Sequence, residues 1–264
     1  MLASLKALSL FALLTLGAAA EAACARPYVV LGSPGGLNLY IEDGRAAGFL
    51  PALAAEVSRR SGCVLTVEVV PPERLIAMAD VGKADLLGNV SRGNSKPADR
   101  DFVDITVLEV EMVLDARSEI RSLDQFAATP GALLGRMRRG AETPALRQYF
   151  ARIDPARIDV SEDADTLARK LAAGHIQAFF GTPLFYLGSV QLAGMGGRIR
   201  ALPLGGEPYR IGWSMLHATV AAADRRLISQ TIEAMRREGA VQRLLAAQLA
   251  GGDGRAQALP AAAR

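Results

Sequence analysis

Short apolar runs alternate with amphipathic segments along most of the chain, beginning with the apolar run at residues 28–31. The first amphipathic segment spans residues 49–60, where Leu50, Leu53 and Val57 recur at the spacing of one helix face. Further strand-like runs span residues 64–70, 84–87, 107–114, 132–134, 158–160, 176–180, 199–204 and 210–216. This alternation of strand and helix predicts an α/β fold with a largely parallel sheet.

The last third of the chain breaks this alternation, because two helices follow the final strand. They are predicted at residues 223–238 and 241–249. Residues 251–264 are rich in Gly and Ala and offer few large apolar side chains for a core. This final segment is therefore predicted to be a disordered tail.

Residues 1–22 have the three parts of a secretory signal peptide. Lys6 gives a positive start, residues 8–16 form an apolar block, and small residues follow with an Ala20-Glu21-Ala22 cleavage pattern. A membrane anchor is the alternative, but the block is shorter than the roughly 20 residues needed to span a bilayer. Cys24 could instead be lipidated, although the aliphatic residue of such signals is missing before it. The sequence therefore predicts export and a periplasmic mature chain.

Charge and composition exclude some partners. The formal net charge of +3 is small and spread along the chain, so it argues neither for nor against a polyanionic partner. Aromatic residues make up 5% of the chain, too few for a platform that stacks single-stranded bases. No segment after the leader is apolar enough to span a membrane. We expect no nucleic-acid partner.

The chain has two cysteines, Cys24 and Cys63, and each comes just before a strand-like run. If those runs are neighbouring parallel strands, both cysteines lie at the same end of the sheet, close enough to bond. A pair in an oxidising compartment usually forms a disulfide, which here would contribute about 4 kcal/mol in a chain-entropy model. The alternative is two inert buried thiols.

The residues point to no metal, cofactor or catalytic centre. His175 and His217 are the only histidines, and neither has a second metal ligand at helical spacing. The nucleophile motif G-x-S-x-G is absent. The Gly-rich loop at 32–36 follows a strand, yet it matches neither G-x-G-x-x-G nor the Lys-Ser/Thr ending of a P-loop. We interpret this loop as a plain turn.

Residues 44–104 carry short motifs in a distinctive order. They read G-F-x-P-x-L-A at 48–54, P-E-R-L at 72–75, G-K-A-D at 82–85 and D-F-V-D at 101–104. Weaker pieces follow at 122–126, 171–178 and 235–240. Their order and spacing resemble the polar amino-acid family of periplasmic solute-binding proteins, which are the receptors of ABC importers.

This resemblance implies two α/β lobes joined by two crossing strands, with the ligand held in the cleft between them. The first lobe would comprise residues 23–115 and 207–250, and the second residues 116–206. The resemblance also implies a monomer without a cofactor. Its partners would be a small-molecule ligand and the permease of an ABC importer in the inner membrane.

The family's ligand positions can be carried over to this chain from its motifs. In the first lobe they fall on Asn89, Ser91 and Lys96, with Arg92 one step along as a substitute cation. In the second lobe they fall around a helix start and after a strand, on Arg139, Gly140, Thr143 and Thr182. Arg136 and Arg138 precede the same helix start.

Three of these positions depart from the family pattern. Lys96 replaces an Arg and lacks the bidentate fork that grips a carboxylate. Thr182 replaces the Asp that pairs with an α-ammonium group, and a buried cation without a partner is costly. Pro34 stands where an aromatic lid is usual. We therefore expect an anionic or neutral polar ligand, such as a carboxylate, in place of a standard amino acid.

Other functions are compatible with such a fold, because function lies in the site. One is a binding module that feeds a sensor kinase without any transporter. Another is a periplasmic enzyme resembling cyclohexadienyl dehydratase, for which Lys96 and Glu142 would be the acid–base candidates. A binding receptor without catalytic residues remains the main prediction.

Overall fold

The computed structural model of the protein describes residues 24–92, 99–138, 140 and 142–258, with the backbone alone for 251–258. The predicted signal peptide lies outside these residues. The strands are β1 (Tyr28–Gly32), β2 (Tyr40–Glu42), β3 (Arg45–Ala47), β4 (Leu65–Val69), β5 (Leu86–Ser91), β6 (Arg100–Leu108), β7 (Glu111–Asp115), β8 (Leu134–Met137), β9 (Ile158–Ser161), β10 (Ala178–Gly181), β11 (Ile199–Pro203) and β12 (Tyr209–Leu216). The helices are α1 (Phe49–Ser61), α2 (Pro72–Asp80), α3 (Leu123–Ala128), α4 (Pro144–Ala151), α5 (Ala164–Ala172), α6 (Pro183–Leu192), α7 (Ala222–Arg237) and α8 (Ala240–Ala258), with a short 3-10 helix at Pro155–Arg157.

Two five-stranded sheets form two lobes. The first sheet has the order β4-β1-β5-β12-β6 and the second the order β11-β7-β10-β8-β9. Parallel pairing is confined to β4-β1-β5 in the first sheet and to β10-β8-β9 in the second. The remaining four pairs of these two sheets are antiparallel, and each contains β7 or β12, the strands that follow the two lobe crossings. The prediction of a largely parallel sheet is therefore wrong for half of the pairs, whereas the two-lobed α/β fold class is confirmed.

The chain crosses between the lobes twice. The first crossing is Glu109–Val110, between β6 and β7, and the second is 204–208, between β11 and β12. Because β7 belongs to the second sheet, the first crossing comes before the boundary at 115 that the sequence suggested. The crossing is not visible in the sequence, because residues 107–114 read as one apolar run. The run contains the end of one strand and most of the next, and these strands belong to different lobes. The second crossing spans the boundary placed between 206 and 207.

The disulfide between Cys24 and Cys63 is present, and both residues are buried. Tyr28 at the start of β1 pairs with Leu65 at the start of β4 in a parallel register. This register brings the two preceding cysteines to the same end of the sheet, as the sequence argument required.

Each lobe has its own hydrophobic core. In the first, fully buried Trp213 of β12 packs with Phe49 and Leu53 of α1. In the second, Phe180 of β10 meets Tyr149 edge to face, with ring centroids 5.1 Å apart. Helix α6 connects the two lobes, because it follows a strand of the second sheet while Leu184 in its first turn lies in the first core.

The final helix is longer than the sequence suggested. The predictions were a helix end at 249 and a disordered tail from 251, whereas α8 continues to Ala258. Glycine costs helix stability without blocking the helix, and Pro260 is the first residue after the predicted end that would break it. None of the helices in the described ranges combines the length and apolar character needed to cross a membrane.

Candidate ligand-binding cleft

A cavity of about 470 Å³ lies between the two lobes. Its first-lobe wall comes from the loop after β1, the start of α2 and the end of β5. Its second-lobe wall comes from Met137, the start of α5 and one side of α6. The carboxyl ends of parallel strands β1 and β5 meet at this edge, which is where open α/β sheets bind ligands.

Asn89 lines this cavity, but its side chain is used within the first lobe. The amide Nδ2 donates a hydrogen bond to Asn38 Oδ1 at 2.5 Å, and Asn89 Oδ1 accepts one from Trp213 Nε1 at 3.2 Å. The residue has a φ of 53°, a left-handed conformation that Asn tolerates better than most residues. Asn89 therefore ties the cavity wall to the core of the first lobe.

Ser91 and Arg92, at the end of the same strand, do not line the interlobe cavity. The Arg92 guanidinium donates to both carboxylate oxygens of Asp104, at 2.7 and 3.2 Å, and lies 4.5 Å from the Phe102 ring centroid. Ser91 hydrogen-bonds the partly buried Tyr209. Burial raises the pKa of this phenol, and the hydrogen bond with Ser91 lowers it. The positive charge of Arg92 is thus neutralised by Asp104, a residue of the same lobe.

A smaller cavity of about 300 Å³ lies in the second lobe, beside the start of α4. Gly140 lines it, as do Arg136 and Glu142, which form an ion pair at 2.9 Å. Thr143 is the N-cap of α4, and its hydroxyl accepts the Leu146 N–H at 3.1 Å. Thr143 therefore has a capping role, and the cation of Arg136 is already paired.

Thr182 is buried and lines neither cavity. It occupies the N-cap position of α6 and is 2% exposed, and its Oγ1 has no hydrogen-bond partner in the described part of the chain. Four residues on, the Tyr186 hydroxyl donates to Glu111 Oε2 at 2.6 Å. Burial and this hydrogen bond raise the pKa of Tyr186, so the phenol stays neutral and links α6 to the start of β7.

The second-lobe wall of the interlobe cavity carries carboxylates that were not among the predicted ligand residues. Glu162, Asp163 and Asp165 line it around the start of α5, and Glu73 lines the opposite wall. No Lys or Arg is found among the described residues that line this cavity. Asp163 is also the N-cap of α5, because its carboxylate accepts the Thr166 N–H at 2.7 Å.

The predicted ligand residues are thus separated. Asn89 lines the interlobe cavity and Gly140 the smaller one, while Met137 lines both. Ser91, Arg92, Thr143 and Thr182 line neither, and Lys96 and Arg139 lie outside the described residues. Within the described ranges, no group of three His, Cys, Asp or Glu side chains could hold a metal ion.

No protein-family model matches the sequence, and no curated protein matches it. Solved structures do match the fold. One is an amino acid ABC transporter substrate-binding protein from Streptococcus pneumoniae bound to L-arginine, with a TM-score of 0.65 at 14% identity, covering 86% of this chain and 95% of that one. The probable amino-acid ABC transporter extracellular-binding protein ytmK from Bacillus subtilis has a TM-score of 0.64 at 13% identity, covering 83% and 96%. The VFT2 domain of Bordetella pertussis BvgS, in a double-mutant form, has a TM-score of 0.63 at 15% identity, covering 86% and 92%.

These neighbours agree with the resemblance that the sequence motifs carry. At such low identity the likeness establishes the fold alone. The protein therefore has the two-lobed α/β fold of periplasmic binding proteins.

Proposed function

We propose that this chain is a periplasmic receptor that captures a small polar solute between its lobes and delivers it to an ABC importer. The observation that carries the proposal is the cavity of about 470 Å³ lined by both lobes. Two lobes joined by two strands can open to admit a solute and close to bury it. A cavity of this volume suits a single small molecule.

The solved structures support the transport assignment. The Streptococcus and Bacillus proteins are both named as binding proteins of amino acid ABC transporters. The predicted signal peptide would deliver the mature chain to the periplasm, where the partner would be an inner-membrane permease. The receptor would act as a monomer without a cofactor.

The solute we propose is not a standard α-amino acid. The family's ammonium-binding Asp is replaced by Thr182, the buried N-cap residue of α6, which lines neither the interlobe cavity nor the smaller one. An α-amino acid would also bring an α-carboxylate, and no Lys or Arg is found among the described residues that line the interlobe cavity. Burying that anion without a cationic partner would be costly.

The enzyme alternative has weak support among the described side chains. Glu142, one of its two acid–base candidates, is paired with Arg136, and Lys96 lies outside the described residues. The sensing alternative has the same fold, as the BvgS domain illustrates. A deletion strain separates it from transport: loss of uptake of the identified solute supports an importer receptor, and unchanged uptake supports a sensing module.

A thermal-shift screen of the mature chain against a metabolite library tests the receptor function. A solute that binds the folded state at 100 times its dissociation constant should stabilise it by about 2.7 kcal/mol. Each hit is then titrated by calorimetry, where a stoichiometry of one per chain is expected. A complete absence of stabilising solutes, or turnover of a bound one, would contradict the proposal.

A further inference from the structure

The second-lobe wall of the interlobe cavity holds a carboxylate that no cation among the described residues neutralises. Glu162 is paired with Arg138 at 2.6 Å, and Asp163 caps α5. Asp165, in the first turn of α5, is partly buried and forms no hydrogen bond or ion pair within the described part of the chain. Asp165 therefore offers its charge to whatever occupies the cavity.

A second, independent feature of the same cavity is an unused hydroxyl. Ser189 of α6 is 1% exposed, and its Oγ has no hydrogen-bond partner among the described residues. It lines the same cavity as Asp165, and α5 packs beside α6. Buried polar groups in native proteins are nearly always paired, so an orphan that faces a cavity points to a bound molecule.

Apolar side chains line the same cavity. Phe185 and Leu192 of α6 and Ile76 of α2 line the cavity. Such a surface suits a hydrocarbon segment of a ligand, while Asp165 and Ser189 supply a charged acceptor and a neutral acceptor for its N–H groups.

We propose that the cavity binds a small organic cation with an aliphatic body, whose ammonium or guanidinium group is held by Asp165 and Ser189. This inference rests on the proposed receptor function and specifies its ligand class. It replaces the sequence-based expectation of an anionic or neutral polar ligand, because Arg92 and Arg136 are both paired with carboxylates and Asp165 gives the cavity a negative charge that is unpaired within the described ranges. The cation site is also distinct from the Thr182 position, which lies outside the cavity.

Isothermal titration of the mature chain with probes of opposite charge tests the inference. The cationic probes are 1,4-diaminobutane and 4-guanidinobutylamine, and the anionic probes are succinate and glutarate. We expect binding of at least one cationic probe and of neither anion. The substitution Asp165→Asn should weaken cation binding about ten- to a hundredfold, because it removes a charge-assisted bond. Ser189→Ala should weaken it several-fold.

Glu119→Gln is the matched control, because it removes an exposed carboxylate of the same lobe that does not line the cavity. It should leave affinity unchanged. Binding of the anions, or full affinity in Asp165→Asn, would overturn the inference. The inference would also be overturned if neither cationic probe bound while the metabolite library yielded neutral or anionic ligands. The receptor function would still hold in that case. A library without any ligand would overturn both.

Discussion

The backbone N–H of Leu37 donates a hydrogen bond to the carbonyl oxygen of Leu184 at 2.8 Å, which joins the two lobes directly. Leu37 lies in the loop after β1, and Leu184 lies in the first turn of α6. Both side chains are fully buried in the core of the first lobe. One end of α6 therefore packs into the first lobe while the helix lines the cavity, so closure of the lobes and the shape of the cavity depend on the same helix.

Gly36 is the position at which this lobe contact is most sensitive to substitution. Its φ of 51° is left-handed, and an added Cβ would collide with the backbone of Phe185. Gly36→Ala should therefore lower the free energy of unfolding for two reasons. Left-handed backbone strain should cost about 1–2 kcal/mol, and the collision should cost about 1–3 kcal/mol more. Small-angle scattering should show a larger radius of gyration as the lobes separate.

Gly44→Ala is the control for Gly36→Ala. Gly44 also has a left-handed φ, 74°, but an added Cβ there meets no atom within 4 Å. This variant should lose only the strain contribution and keep the scattering profile of the parent. Equal destabilisation of both variants would show that the collision with Phe185 has no energetic consequence.

Asn89 should contribute to stability as well as to the cavity wall. Replacing it with Ala removes the bond to Asn38 and leaves the buried Trp213 Nε1 unpaired, which costs about 1–3 kcal/mol. Asn89→Gly removes the same bonds but tolerates the φ of 53°, so it should be less destabilising than Ala. Urea denaturation measures both. An unchanged midpoint in both variants would instead favour the ligand-contact role that the family resemblance implies.

The disulfide should stabilise the first lobe without contributing to the cavity. Replacing both Cys24 and Cys63 with Ser should lower the free energy of unfolding by about 4 kcal/mol, since the bond closes a loop with a sequence separation of 39. Neither cysteine lines the interlobe cavity, so solute affinity measured below the unfolding transition should persist. Guanidinium denaturation of the double variant measures the loss, and a midpoint equal to that of the parent would contradict it.

Tyr149 should make stability fall at alkaline pH. Burial raises its pKa to about 12, while an unfolded Tyr titrates near pH 10. The folded state therefore holds the phenol proton more tightly, and the resulting stability is fully present below about pH 10 and lost as pH rises toward 12. Denaturant unfolding between pH 9 and about 12 should show a shallower decline for Tyr149→Phe. Parallel declines would show that the Tyr149 proton contributes nothing.

Much of the fold could be predicted because it follows from local patterns. The disulfide could be argued because Cys24 and Cys63 precede two strands whose pairing fixes their distance. The crossing at Glu109–Val110 could not, because both flanking segments are buried strands and only the tertiary structure assigns them to different sheets. The hydrophobic pattern indicates which side chains are buried, but it does not indicate which lobe buries them.

The candidate site was less accessible to sequence reasoning. Motif spacing identified Asn89, but its role depends on Asn38 and on Trp213, which is 124 residues away. Ser189 resembles any polar helix residue in the sequence, and only the folded structure shows that its hydroxyl is buried without a partner. Arg92 was predicted as a substitute cation for the ligand, whereas the fold pairs it with Asp104.

Calorimetric titration of cavity-narrowing variants tests whether the solute occupies the interlobe cavity. Leu192→Trp and Ala164→Phe enlarge side chains that line the cavity, whereas Val160→Trp enlarges a side chain on the same lobe outside it. Leu192 and Val160 are comparably exposed, at 39% and 47%, so their Trp variants should fold equally well. For a solute identified in the thermal-shift screen, we predict one site per chain in the parent and in Val160→Trp, with binding lost or weakened at least tenfold in the two cavity variants. Parent-like affinity in both cavity variants would contradict the account.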